Sequence, residues 1–192
     1  MIEPGSPADD LPLFRHGDRH AAARRRGQMR RLALAVASLI GALSATIAHP
    51  PRPLLVWNAS ASAPIGLYAV VGKAAIRSGD LVIARTPSAV RDLAARRRYI
   101  PTNVPLVKRV AALPGDRVCA LGQEILVNGR WIGVRFTDDA RGRPMPWWSG
   151  CVVLLDGALF LLMEKPVSFD GRYFGPTSAR DVVGKAIPLW VR

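Results

Sequence analysis

Val107-Lys108-Arg109-Val110-Ala111-Ala112-Leu113-Pro114-Gly115-Asp116 sets a lysine among apolar residues and closes on a Pro-Gly-Asp turn. Apolar residues running into that turn predict a strand over 106–113 that ends at 114–116. Such a strand carries Lys108 inward. A buried lysine with no acidic partner sheds its proton, because a low dielectric disfavours the charged form. The neutral amine can then accept a proton from a serine hydroxyl. The alternative, a lysine on the solvent side of the strand, has no such chemistry.

The histidines narrow the choice of base. There are three, His16, His20 and His49, and none lies between His49 and Arg192. A Ser-His-Asp or Cys-His arrangement is therefore excluded downstream, as is a His-containing zinc site. The two cysteines are too few for a Cys-rich metal site. No metal and no cofactor is expected. A serine or threonine activated by a lysine is the remaining route to nucleophilic catalysis.

Outward from residue 108 the chain reads as β-rich. Strands are predicted over 54–57, 66–71 and 80–85. Segments 125–127 and 131–134 flank Asn128-Gly129, a strong hairpin signal. Segments 152–155 and 158–162 flank Asp156-Gly157 and predict a second hairpin. Residues 182–191 predict a closing strand, and 88–98 the one helix of this region. Many short strands with Gly and Pro turns point to a mainly β fold, with antiparallel sheets in a sandwich or barrel-like body. The stretch 141–149, RGRPMPWWS, predicts an exposed loop whose tryptophans touch lipid or pack on the body.

The N-terminal part is different. Residues 1–31 hold seven arginines against four acids, and residues 32–48 run seventeen residues without a charge. A spanning helix needs roughly 17–25 apolar residues. As a membrane anchor the run keeps its arginines in the cytoplasm and exports the downstream chain. As a cleaved signal peptide it needs a small-x-small site, to which Ser44-x-Thr46 and Thr46-x-Ala48 are weak approximations. A buried soluble helix fits poorly between an arginine cluster and Pro50-Pro51. The expected organisation is a basic cytoplasmic segment 1–31, a transmembrane helix 32–48 (or an uncleaved signal) and an exported domain 50–192.

The net charge of +13 raises the question of nucleic acid. Much of the arginine excess lies beside the apolar run, where it is a topogenic signal. No aromatic-interleaved basic stripe accompanies it, so no nucleic-acid partner is expected. The local run Arg91, Arg96, Arg97, Arg98 is either a solvated basic face or a contact for anionic lipid or an acidic partner. Cys119 and Cys151 are either a single disulfide formed after export or two buried thiols.

The candidate nucleophile lies in Asn58-Ala59-Ser60-Ala61-Ser62-Ala63-Pro64-Ile65-Gly66-Leu67-Tyr68. Taken alone, Ser-Ala-Ser before proline is commonly just a turn. Together with the lysine segment and Ser168-Phe169-Asp170-Gly171-Arg172-Tyr173-Phe174-Gly175-Pro176, it resembles the boxes of type I signal peptidases. The Gly-Leu-Tyr variant is similar to the TraF-type conjugal transfer peptidases of that superfamily. The resemblance covers residues 32–192.

The resemblance implies a signal-peptidase-like β domain behind one transmembrane helix. It makes Ser62 the nucleophile and Lys108 the general base. Ser60 matches the side-chain oxyanion donor, Ser168 the hydroxyl that orients the lysine, and Asp170 with Arg172 a structural ion pair. The serine stands one residue closer to the proline than in general signal peptidases, which leaves Ser60 as the alternative nucleophile. Gly171 stands where the family usually has serine, a change expected to matter little beyond backbone freedom.

By the same resemblance the protein is a periplasm-facing, single-pass serine peptidase of a bacterial inner membrane. Its client is a secreted precursor, with a conjugative pilin first in line, and the product is either hydrolysed or cyclised. The conjugative transfer apparatus is a further partner. A general signal peptidase and a non-catalytic envelope component of a conjugation or secretion apparatus are the rival readings.

Overall fold

The computed structural model describes residues 15–48, 53–73 and 76–192. Residues 1–14, at the start of the basic segment, and His49, Pro50 and Pro51 lie outside the described residues. The chain divides into two compact units between residues 51 and 52. In the first unit, helix α1 spans Arg15–Ala48. It takes in the arginine cluster as well as the apolar run, and Arg24–Ala48 is long and apolar enough to cross a membrane. Arginine and alanine, which crowd residues 19–31, are good helix formers, so the helix has no reason to begin at Leu32.

In the second unit the strands are β1 (Leu55–Asn58), β2 (Gly66–Val71), β3 (Leu81–Ala84), β4 (Leu106–Ala112) and β5 (Arg117–Leu121). They continue with β6 (Glu124–Val127), β7 (Arg130–Val134), β8 (Gly150–Val153), β9 (Phe160–Leu161) and β10 (Val182–Val191). Two short helices join them, α2 (Ser88–Arg96) and α3 (Gly171–Phe174). One sheet of six strands runs β1-β2-β10-β3-β4-β9, and one of four runs β7-β6-β5-β8. The strand pairs within them are antiparallel. The fold is mainly antiparallel β, as the turn-rich pattern implied.

Several local expectations need correction. The helix over 88–98 stops at Arg96, because Arg98 turns to a φ of 60°. Strand β5 was not expected: its pattern has three consecutive buried residues rather than alternation. The hairpin around Asn128-Gly129 is present, with φ of 51° and 79° at the two turn residues. Asp156 and Gly157 also turn, at 51° and 72°, but the flanking strands do not pair with each other. β8 pairs with β5 while β9 pairs with β4, so the turn connects two sheets. Leu154 is the point of divergence. Its N–H donates to the Asp116 carbonyl at 2.9 Å, and its carbonyl accepts from Gly115 N–H at 2.8 Å.

The core sits in apolar clusters beneath these sheets. Val56, Tyr68, Ile83, Val107 and Met163 pack together under the larger sheet. Val118, Ile125, Leu154 and Phe160 pack under the smaller. Burying each such side chain contributes roughly 1.5–3 kcal/mol. The tryptophans of the loop over 141–149 pack on the body. Trp147 lies 3.5 Å below the buried Arg135 guanidinium. Trp148 meets Phe160 edge-on and donates its ring N–H to the Gly171 carbonyl at 3.1 Å. The basic run is partly tied down as well. Arg91 donates to the Thr86 carbonyl, and Arg97 to that of Pro144.

Candidate active site

Lys108 stands on β4, paired across to Val82 of β3. Leu106, Val107 and Lys108 are all buried, and Lys108 is only 3% exposed. Its Nζ donates to Ser62 Oγ at 2.9 Å and to Ser168 Oγ at 2.7 Å. Among the described residues no carboxylate forms an ion pair with it. Burial pulls the amine down from an ordinary 10.5 to about 8; Asp170 opposes that fall and Arg172 assists it. Roughly a tenth of the molecules then carry a neutral amine at pH 7.

Ser60 and Ser62 occupy the loop between β1 and β2. Their hydroxyl oxygens are 2.9 Å apart, and Ser62 N–H donates to Ser60 Oγ at 3.4 Å. Asn58, the last residue of β1 and buried, shapes this loop. Its amide donates to the carbonyls of Ser60, Ala63 and Pro64 at 3.0, 3.2 and 2.9 Å. Its carbonyl oxygen accepts from Ser60 N–H at 3.1 Å. Sequence reading passed over Asn58. The available signal was the Asn two residues before a small polar residue, which can fold its side chain onto the following backbone. Gly66 explains the Gly-Leu-Tyr pattern that it begins. A Cβ there would lie 2.0 Å from the Trp190 carbonyl oxygen of β10.

Ser168 is delivered by the turn ahead of α3. Asp170 and Arg172 are buried against one another, with Arg172 Nε donating to Asp170 Oδ1 at 2.8 Å. The second Asp170 oxygen accepts from Met163 N–H at 3.0 Å. Arg172 also donates to the carbonyls of Val134 at 2.9 Å, Pro166 at 3.2 Å, and Met163. The pair thus ties the turn over residues 163–168 to β7, and Ser168 N–H closes that turn on the Lys165 carbonyl at 3.0 Å. Gly171 matters more than expected. A Cβ there would come within 2.8 Å of the Leu161 carbonyl oxygen and of the Phe160 ring, so a serine has no room.

Ser60, Ser62, Lys108 and Ser168 therefore meet in one hydrogen-bonded group, with Asp170 and Arg172 supporting it. Cys119 and Cys151 belong elsewhere. They face each other on β5 and β8 and are joined through their sulfurs, with Cα atoms 4.0 Å apart. An open groove of about 400 Å³ runs beside Ser62, lined in part by Ala61, Pro64, Met163 and Lys165. A hydroxyl bonded to an amine whose proton affinity burial lowers to about 8, beside a groove, suits attack on a carbonyl.

Residues 27–190 match the family described as Signal peptidase, peptidase S26. A conjugal transfer protein TraF from Agrobacterium fabrum is 34% identical over 143 residues, 69% of this chain and 80% of that protein. A probable conjugal transfer protein TraF from Sinorhizobium fredii is 33% identical over 180 residues, 85% of this chain and 90% of that one. A signal peptidase I structure from Enterococcus faecalis overlays with a TM-score of 0.36 at 17% identity, covering 59% of this chain and 98% of that one.

Proposed function

The chain belongs to the signal peptidase family, peptidase S26, and from that membership we propose that it is a membrane-anchored serine endopeptidase working through a Ser62/Lys108 dyad. The observation that carries the reading is the Lys108 amine, buried with no ion-paired carboxylate among the described residues and bonded to Ser62 Oγ and Ser168 Oγ.

Neutral Lys108 takes the proton from Ser62, and Ser62 Oγ attacks the carbonyl of a small residue in an extended peptide. The negative oxygen of the tetrahedral intermediate is received by Ser62 N–H and the Ser60 hydroxyl. Collapse breaks the C–N bond, and Lys108 returns the proton to the departing amine. A water, deprotonated by Lys108, then attacks the acyl-enzyme and restores Ser62. If the amino terminus of the same peptide attacks instead, the product is a ring. Ser168 holds the lysine in line throughout, and the buried Asp170–Arg172 pair holds Ser168.

The client is an exported precursor. A conjugative pilin fits best, because the relatives are named as conjugal transfer proteins. The apolar helix supplies the anchor in the bacterial inner membrane, with the arginine-rich side in the cytoplasm and residues 50–192 in the periplasm.

The test is a processing assay on membranes carrying the parent, Ser62→Ala or Lys108→Ala, mixed with a candidate pilin precursor. The parent alone is expected to process it, with either variant down by about 10³-fold or more. A product one water lighter than the linear mature form means cyclisation; the linear mass means hydrolysis. Equal processing by parent and Lys108→Ala removes the lysine as base and the mechanism with it.

A further inference from the structure

We propose that Lys165 is a positioning residue for the oxyanion donor, acting through the Ala61–Ser62 peptide bond. This rests on the proposed peptidase mechanism, in which Ser62 N–H receives the oxyanion.

Lys165 Nζ donates to the Ala61 carbonyl oxygen at 2.6 Å. That carbonyl and Ser62 N–H belong to one peptide unit. The unit is planar and trans, so the two groups point in opposite directions. A cation on the oxygen therefore fixes the direction of the N–H on the far side. The bond is charge-assisted, the stronger kind. Hydrogen bonds in a chain also polarise one another, so a cation on the oxygen makes the N–H a better donor. Among the described residues that N–H makes one bond, a long one of 3.4 Å to Ser60 Oγ. It is oriented, polarised and weakly used.

The remaining contacts of the loop fit this division of labour. Asn58 holds the carbonyls of Ser60, Ala63 and Pro64 and leaves that of Ala61. Lys165 takes that one. It is an exposed side chain on a well-anchored backbone. Its carbonyl accepts from Ser168 N–H, and the next residue's carbonyl accepts from the buried Arg172. One turn therefore reaches the catalytic group from two sides. Ser168 bears on the base, and Lys165 on the peptide unit of the nucleophile.

The test compares the full chain in detergent micelles as parent, Lys165→Met and Lys165→Arg. Methionine keeps the stem and loses the donor. The first readout is the Ser62 amide ¹⁵N shift, which responds to the hydrogen bond on the preceding carbonyl. Lys165→Met is expected to move it upfield while the Ser168 amide stays in place, and Lys165→Arg to restore it. The second is precursor processing: Lys165→Met is expected to lower kcat about tenfold with KM unchanged, less than outright loss of an oxyanion donor. Lys165→Arg is expected to recover most of that.

An unmoved Ser62 shift in Lys165→Met overturns the proposal, whatever the client. So does full kcat in that variant while Ser62→Ala is inactive, a result that leaves the dyad standing. Processing that survives Ser62→Ala instead overturns the peptidase mechanism on which this proposal rests.

Discussion

Two buried cations lie at this site and are treated in opposite ways. Among the described residues Lys108 on β4 bonds to two hydroxyls, and burial lowers its proton affinity to about 8. Arg172 in α3 meets the Asp170 carboxylate and a ring of carbonyls. Guanidinium is planar, five-fold in donors and not deprotonated in proteins, so it can serve as a structural tie. An ammonium loses its proton when buried without a counter-charge, so it can serve as a base. The groups around the cation decide whether burial makes a scaffold or a reagent.

The largest expected effect comes from breaking the paired side of that contrast. Asp170→Asn leaves Arg172 buried without its counter-charge, and thermal or denaturant unfolding should show a loss of about 3–5 kcal/mol. A loss below about 1 kcal/mol would mean that the carbonyls alone satisfy Arg172.

A change in the other sheet serves as a control. Replacing Cys119 and Cys151 together by serine opens a loop of 32 residues and should cost about 3.5–4 kcal/mol of stability. Processing per folded molecule should be unchanged, because neither cysteine touches the group around Ser62.

On the hydroxyl side the sign reverses. Lys108 binds its proton more weakly folded, near 8, than unfolded, near 10.5. Below pH 8 both states are protonated and the folded state carries the full cost, about 3 kcal/mol. Between pH 8 and 10.5 the unfolded chain holds more protons, so this contribution to stability rises with pH. Lys108→Met should therefore be inactive yet more stable at pH 7, by about 1–2 kcal/mol once the lost hydrogen bonds are subtracted. The gain should vanish at about pH 9 and reverse towards pH 10.5, where mainly the lost hydrogen bonds count. A destabilised variant at pH 7 would show that the amine is not strained by burial.

The smallest effect is kinetic and needs no substitution. The neutral fraction of Lys108 should carry the processing rate up about tenfold from pH 7 to pH 9, with a midpoint near 8. A flat profile would separate the titration of Lys108 from the rate-limiting step.

Legibility in the sequence was uneven, for reasons that differ by residue. The Asn128-Gly129 turn was legible because its two positive φ values ask for those residues and for little else. The Asp156-Gly157 turn was equally visible, but its strands go to partners in different sheets, which no local signal encodes. Strand β5 lacked alternation and was missed. Around the site, the two serines, the lysine and the ion pair could be named through their boxes. Asn58 and Lys165 act through backbone carbonyls, and such contacts leave no pattern of side-chain types. The room denied to a serine at Gly171 comes from Phe160 and Leu161, a strand away.

By itself, the sequence determined the local and the exclusive: the turn-bounded strands, the charge-free apolar run and the lack of histidine after residue 49. Each depends on the intrinsic preferences of a few neighbouring residues. Tertiary structure alone decided that Lys108 is buried, that among the described residues no carboxylate pairs with it, and that it meets Ser62 and Ser168 across 46 and 60 residues of chain. Proton affinity is set by the dielectric and charges within a few ångströms of the amine. Those surroundings are assembled only when β4, the serine loop and the turn before α3 pack together.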